Sequence, residues 1–138
     1  MLSRNSNIAV SSRSFCKSNI LRDQLDKFFN NVEYNDKLEH FNEDSLIEFF
    51  ANAEAVIVSE DQITEKVIDA LPNLKLVAKF GVGLDSIDTE YLKRKNIVLG
   101  WNPGINADAV AQLALSYLIL MLREAYILNK NLINNEWA

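Results

Sequence analysis

At 138 residues, 49% of them hydrophobic, the chain has room for one packed core of domain size. A net charge of −5, with no block of Lys or Arg, argues against nucleic acid as a partner. Cys16 and His40 are the only cysteine and histidine, which excludes an internal disulfide framework and a metal-ligand cluster; a lone thiol fits a reducing cytoplasm.

The polar opening from Met1 to Asn7 leads only to the short apolar run Ile8-Ala9-Val10, which is too brief for a signal peptide and reads as a first strand. The small polar loop Ser11-Ser12-Arg13-Ser14 follows, in which Arg13 either meets an anion or is simply solvated. Ser18 is placed to cap a helix whose apolar residues Ile20, Leu21, Leu25, Phe28 and Phe29 recur at helical spacing. Val32-Glu33-Tyr34 reads as a short edge strand, and a second amphipathic helix runs from about Ser45 to Asn52. Ala55-Val56-Ile57-Val58 is continuously apolar, as in a strand buried on both faces, and ends in the polar loop Ser59-Glu60-Asp61-Gln62. Ile63 to Ala70 is predicted helical, stopped by Pro72.

Leu76 to Phe80 reads as a fourth strand, carrying Lys79 and ending at Gly81-Val82-Gly83. Asp88 is placed as the N-cap of a helix from Thr89 to Lys95, and Ile97-Val98-Leu99 as the fifth strand. Strands alternating with helices predict an α/β fold, a parallel five-stranded sheet with helices on both faces. Ligands of such sheets sit beyond the carboxyl ends of the strands. That places the loops Ser11 to Ser14, Ser59 to Gln62, Gly81 to Asp85 and Gly100 to Asn106 on one rim. The two glycines of Gly81-Val82-Gly83 allow a sharp turn and close approach to backbone N–H groups, and Lys79 adds a positive charge beside them. The loop is therefore either a carboxylate or phosphate cradle or a plain tight turn. It is not the dinucleotide fingerprint, whose third glycine would fall on Ser86.

From Ala107 to Leu128 the sequence is helical in character and apolar almost all round, with Asp108, Gln112, Ser116 and Arg123 gathered in one stripe. Its uninterrupted apolar part, Leu113 to Leu122, is too short to span a membrane and runs into Arg123-Glu124. The expectation is one long helix buried between two bodies, with Asn106 as its N-cap.

The run from Pro72 to Asp88, Pro-Asn-Leu-Lys-Leu-Val-Ala-Lys-Phe-Gly-Val-Gly-Leu-Asp-Ser-Ile-Asp, resembles the signature of the D-isomer-specific 2-hydroxyacid dehydrogenases, in their phosphoglycerate-dehydrogenase-like branch. The likeness continues through Asn102-Pro103-Gly104-Ile105-Asn106-Ala107-Asp108-Ala109-Val110-Ala111-Gln112 and the apolar helix. Asn135-Glu136-Trp137 resembles the Gly-x-Trp that precedes the family's coenzyme domain, with Asn135 in place of the glycine. The resemblance implies a flavodoxin-like substrate domain over 1–105, and an interdomain and dimerisation helix over 106–138 that leads to a Rossmann coenzyme domain. Since the sequence stops at Ala138, where that domain would begin, the expectation is a substrate-binding part that is inactive alone. The family's catalytic Arg, Glu and His would all lie beyond it.

By resemblance, Val82 and Gly83, with Gly81 in the same turn, hold the substrate carboxylate; Lys79 reads a second anionic group; Asn106 and Val110 face NAD. No catalytic residue and no metal ligand is assigned. Gln112 departs from the family's usual Glu, and His40 is read as an exposed helix-flank residue. The implied reaction is hydride transfer between NAD(H) and a small 2-hydroxy or 2-keto acid, in a cytoplasmic homo-oligomer or together with the coenzyme domain, through Ala107 to Leu128. Which acid, and NAD or NADP, stays open. The alternative is a non-catalytic module that dimerises through that helix and binds a small carboxylate or a full-length relative. A phosphoacceptor receiver shares the fold class, but Ser11-Ser12-Arg13 after the first strand and the displaced Asp61 oppose it.

Overall fold

The parallel sheet is built from strands that are only three or four residues long, so side-chain alternation decides nearly all of its packing. A computed structural model describes residues 2–136, which divide into a unit ending at Pro103 and a second beginning at Gly104. In the first unit β1 (Asn7–Val10), β2 (Asn31–Tyr34), β3 (Ala55–Val58), β4 (Leu76–Lys79) and β5 (Val98–Gly100) form one sheet in the order β2-β1-β3-β4-β5. Every pairing is parallel, with Ala9 opposite Val56 and Val56 opposite Val77.

That register puts Ala9, Val56, Val58 and Val77 on one face. They pack with Leu46 and Phe50 of α3 (Glu43–Phe50), Val67 and Ile68 of α4 (Glu65–Asp69) and Leu92 of α5 (Thr89–Arg94). On the other face Val10 and Ile57 meet Phe15 and Cys16 of α1 (Arg13–Cys16) and Leu21 and Leu25 of α2 (Asn19–Asp26). Helices therefore cover both faces, as the alternation of elements predicts.

Caps fix the helix ends. Ser18, Thr64 and Asp88 each accept a hydrogen bond from the backbone N–H three residues on, and Asn42 with Ser45 completes a reciprocal capping box. The C-terminus of α5 closes as a Schellman turn. Asn96 takes a left-handed φ of 58°, the Ile97 N–H reaches the Leu92 carbonyl, and the Asn96 N–H reaches that of Lys93.

Local differences from the sequence reading have physical causes. Arg13–Cys16 is a helical turn and not a loop, because Ser12 caps the Phe15 N–H and burying Phe15 and Cys16 against β1 repays the ordering. Helix α4 starts at Glu65, because Ile63 is diverted into a bridge with Ile87.

The single long helix expected from Ala107 to Leu128 does not form. In the second unit α6 (Ala107–Leu122) stops at Arg123, and Glu124 adopts a left-handed φ of 50°. A new helix, α7 (Ala125–Ile133), then leaves at a bend of 64°. Apolar periodicity runs through the break unchanged, whereas a single left-handed residue ends the hydrogen-bond ladder. No single helix among the described residues is long and apolar enough to cross a membrane; only the bent pair taken together reaches that length and composition. Trp137 of the Asn135-Glu136-Trp137 match lies outside the described residues.

Candidate functional site

Beyond Lys79 the chain leaves the sheet through a loop pinned at both ends. The Phe80 N–H extends the sheet pairing to the Val58 carbonyl at 2.8 Å, and the Phe80 ring meets Phe15 edge-on at 5.4 Å. At the far end the Ile63 N–H donates to the Ser86 carbonyl at 2.8 Å, and the Asp88 N–H to the Ile63 carbonyl at 3.0 Å. Between these anchors Gly81 sits at φ 147°, a conformation that a side chain would strain. Gly83 lies at an ordinary φ, and a methyl group there would come 3.2 Å from the Asp85 carboxylate. Among the described residues the backbone N–H groups of Val82 and Gly83 have no hydrogen-bond partner, so they stand available to an acceptor.

The loop opens on a depression lined by Ser59, Glu60, Lys79, Phe80, Val82 and Ser86, among others. The Lys79 ammonium donates to the Ser59 carbonyl and lies 3.4 Å from the Ser86 hydroxyl, which ties the ends of β3 and β4 together. An ammonium has three donors, so one remains for a ligand. Trp101, one residue past β5, donates its indole N–H to the Val82 carbonyl at 3.0 Å.

A neighbouring depression gathers Ser11 to Ser14, Glu39 to Phe41 and Ser59 to Gln62. Several of its polar groups satisfy one another. Asp61 accepts from the Ser11 hydroxyl at 2.7 Å and the Ser59 N–H at 3.2 Å, and the Arg13 guanidinium is paired with Glu60 at 3.0 Å. The Asn35 amide binds the Ser11 and Glu39 carbonyls and holds the β2 loop, with exposed His40, against this rim. Cys16 beneath it donates to the Val10 carbonyl at 3.4 Å, and burial pushes its thiol above the ordinary value.

The sheet thus brings the Ser11, Ser59 and Gly81 loops and Trp101 to one edge. Asn106 and Val110 belong to the second unit. Asn106 occupies the N-cap position of α6 without a side-chain capping bond, and Val110 is exposed on its first turn. Sequence reasoning placed Trp101 and Asp61 in loops of this rim without giving either a binding role, and gave none to Ser86 or the Glu39 to Phe41 loop. The available signal for Trp101 was its place directly after the strand that pairs with β4; an isolated polar residue such as Asp61 carried none.

The fit to a dinucleotide is poor at the glycine turn. The chain passes from it through the Ile63 to Ile87 bridge before α5 begins, and the α5 N-terminus is already capped by Asp88 at 2.8 Å from the Tyr91 N–H. A pyrophosphate needs open N–H groups at a helix start.

The model of the D-isomer specific 2-hydroxyacid dehydrogenase catalytic domain matches residues 8–135. The chain belongs to this family. A hydroxypyruvate reductase of Thermotoga maritima is 31% identical over 123 residues, covering 85% of this chain and 40% of the relative. A D-3-phosphoglycerate dehydrogenase of Synechocystis is 29% identical over 131 residues, covering 91% and 24%. Among solved structures, an NAD+-bound 3-phosphoglycerate dehydrogenase of Entamoeba histolytica superposes with a TM-score of 0.71 at 26% identity, covering 88% of this chain and 41% of that one. A D-isomer specific 2-hydroxyacid dehydrogenase of Polaromonas, at 24% identity and a TM-score of 0.79 over 96% of this chain and 41% of that one, shares the fold. The chain spans about two fifths of the length of the hydroxypyruvate reductase it matches.

Proposed function

We propose that this chain is the substrate-binding part of an NAD-dependent D-2-hydroxyacid dehydrogenase, and that its own task is to hold the carboxylate of a small 2-hydroxy or 2-keto acid. The observation that carries this reading is the glycine turn at the end of β4, where two free backbone N–H groups stand beside the Lys79 ammonium. Val82 and Gly83 donate to the carboxylate, and Gly81 supplies the turn. Lys79 uses its remaining donor for a second anionic group, which favours phosphorylated or dicarboxylic acids. Asn106 and Val110 contact the nicotinamide coenzyme, which supplies or accepts the hydride when bound. No catalytic step is assigned to a side chain of this chain.

We assign the domains as 1–105 for substrate and 106–138 for the link to a coenzyme domain. The exposed apolar residues of α6 and α7, among them Leu118, Met121 and Tyr126, call for a cover. A coenzyme domain or a second copy of the chain would supply it. The second copy also suits the non-catalytic, dimerising reading. The lone buried thiol supports a cytoplasmic setting.

Replacing Lys79 with Met keeps the length of the side chain and removes its charge. Calorimetric titration is expected to show 3-phosphoglycerate weakened by about tenfold or more and pyruvate much less, as for loss of one charge-assisted hydrogen bond. Equal weakening of the two acids would instead make Lys79 only a tie between β3 and β4.

A further inference from the structure

Trp101 sits where the sheet has to place it. Ala78 of β4 pairs with Gly100 of β5, so the residue after Gly100 emerges beside the loop that follows Lys79. Its ring is 40% exposed, so water could satisfy the indole N–H, an obligate donor. It is aimed at the Val82 carbonyl instead, at 3.0 Å. The peptide joining Val82 to Gly83 is trans, and a trans peptide holds its C=O and N–H antiparallel. Fixing the Val82 oxygen toward Trp101 therefore turns the Gly83 N–H the opposite way.

Without that bond, the plane is free to turn. Gly83 has no side chain, Gly81 is conformationally free, and the anchors flanking the turn lie outside this peptide, at Phe80 and at Leu84, whose carbonyl accepts from the Ile87 N–H at 2.9 Å and whose side chain packs on the core. We infer that Trp101 is a positioning residue, whose indole N–H sets the orientation of the Val82–Gly83 peptide and so aims the Gly83 N–H at the substrate carboxylate. The inference rests on the reading of the glycine turn as a carboxylate seat. Bonding to the carbonyl also polarises the peptide, which makes its N–H a better donor.

The test is a titration of the 15N-labelled chain with pyruvate, followed at the Gly83 amide signal. It compares the native chain with Trp101→Phe and with a chain carrying benzothienylalanine at position 101, where sulfur replaces the indole N–H and the ring shape is kept. Expected is a Gly83 signal that responds to pyruvate in the native chain and starts from a shifted position in both altered chains, with binding weakened by about 2- to 10-fold, the worth of one neutral hydrogen bond. Unchanged Phe80 and Ile87 signals report that the loop anchors are intact. Equal affinity in all three chains would overturn the role of Trp101 and leave the carboxylate seat standing. Weakening by Phe but not by benzothienylalanine would overturn it as well, since ring packing would then be the cause. A native Gly83 signal that ignores pyruvate would remove the carboxylate seat, and this inference with it.

Discussion

The two glycines of the site do different work, and substitution separates them. Gly81 occupies a φ that L side chains rarely adopt, so Gly81→Ala is expected to cost about 1–3 kcal/mol of stability in chemical denaturation. Gly83 has an ordinary φ, and a methyl group there meets only the movable end of Asp85. Gly83→Ala should therefore unfold close to the native midpoint while binding pyruvate less tightly, because the methyl group crowds the N–H it adjoins. A matching stability loss in the two variants would show the turn to be simply structural. Both positions are legible in the sequence as Gly-x-Gly after an apolar run. Which of the two needs the unusual φ is not, since that depends on the path between the Phe80 and Ser86 anchors.

At the scale of elements, alternation and capping residues were readable and breaks were not. Ser18 and Asp88 announce their helices, because a short side-chain acceptor before an apolar periodic run has few other uses. Glu124 announces nothing, since glutamate is a good helix former and the apolar pattern continues past it. Its left-handed backbone makes a checkable statement. Glu124→Gly removes the Cβ penalty of that conformation and is expected to raise the stability of the chain by about 1 kcal/mol. Glu124→Val should lower it, and a thermal melt of each variant decides. If Val stabilises and Gly destabilises, residues 107–128 favour one continuous helix after all.

At the scale of the whole molecule, ion pairs link segments distant in sequence, and they set the behaviour in acid. Glu54 is paired with Lys75, and Asp69 with Lys95 and Tyr91, which holds both carboxyls below their ordinary values of 4.5 and 3.8. A carboxyl that ionises more readily when folded contributes fully above the unfolded value. Its contribution fades as the pH falls through that value, and it is gone below the folded one. The melting temperature should accordingly drop between about pH 5 and about pH 3. Glu54→Gln should flatten part of that drop and leave the neutral-pH slope unchanged; an identical acid profile would remove Glu54 from the account. Neither pair stands out in the sequence, since Glu54 and Lys75 become neighbours only because β3 pairs with β4. The sequence by itself determined the parallel α/β sheet, its edge of loops and the family, because apolar period and turn residues act over a few positions. Only the tertiary structure decided that Lys79 ties β3 to β4, that Trp101 holds Val82 and that α6 breaks at Arg123. Each depends on where one backbone atom lies relative to another, and residue type does not encode that distance.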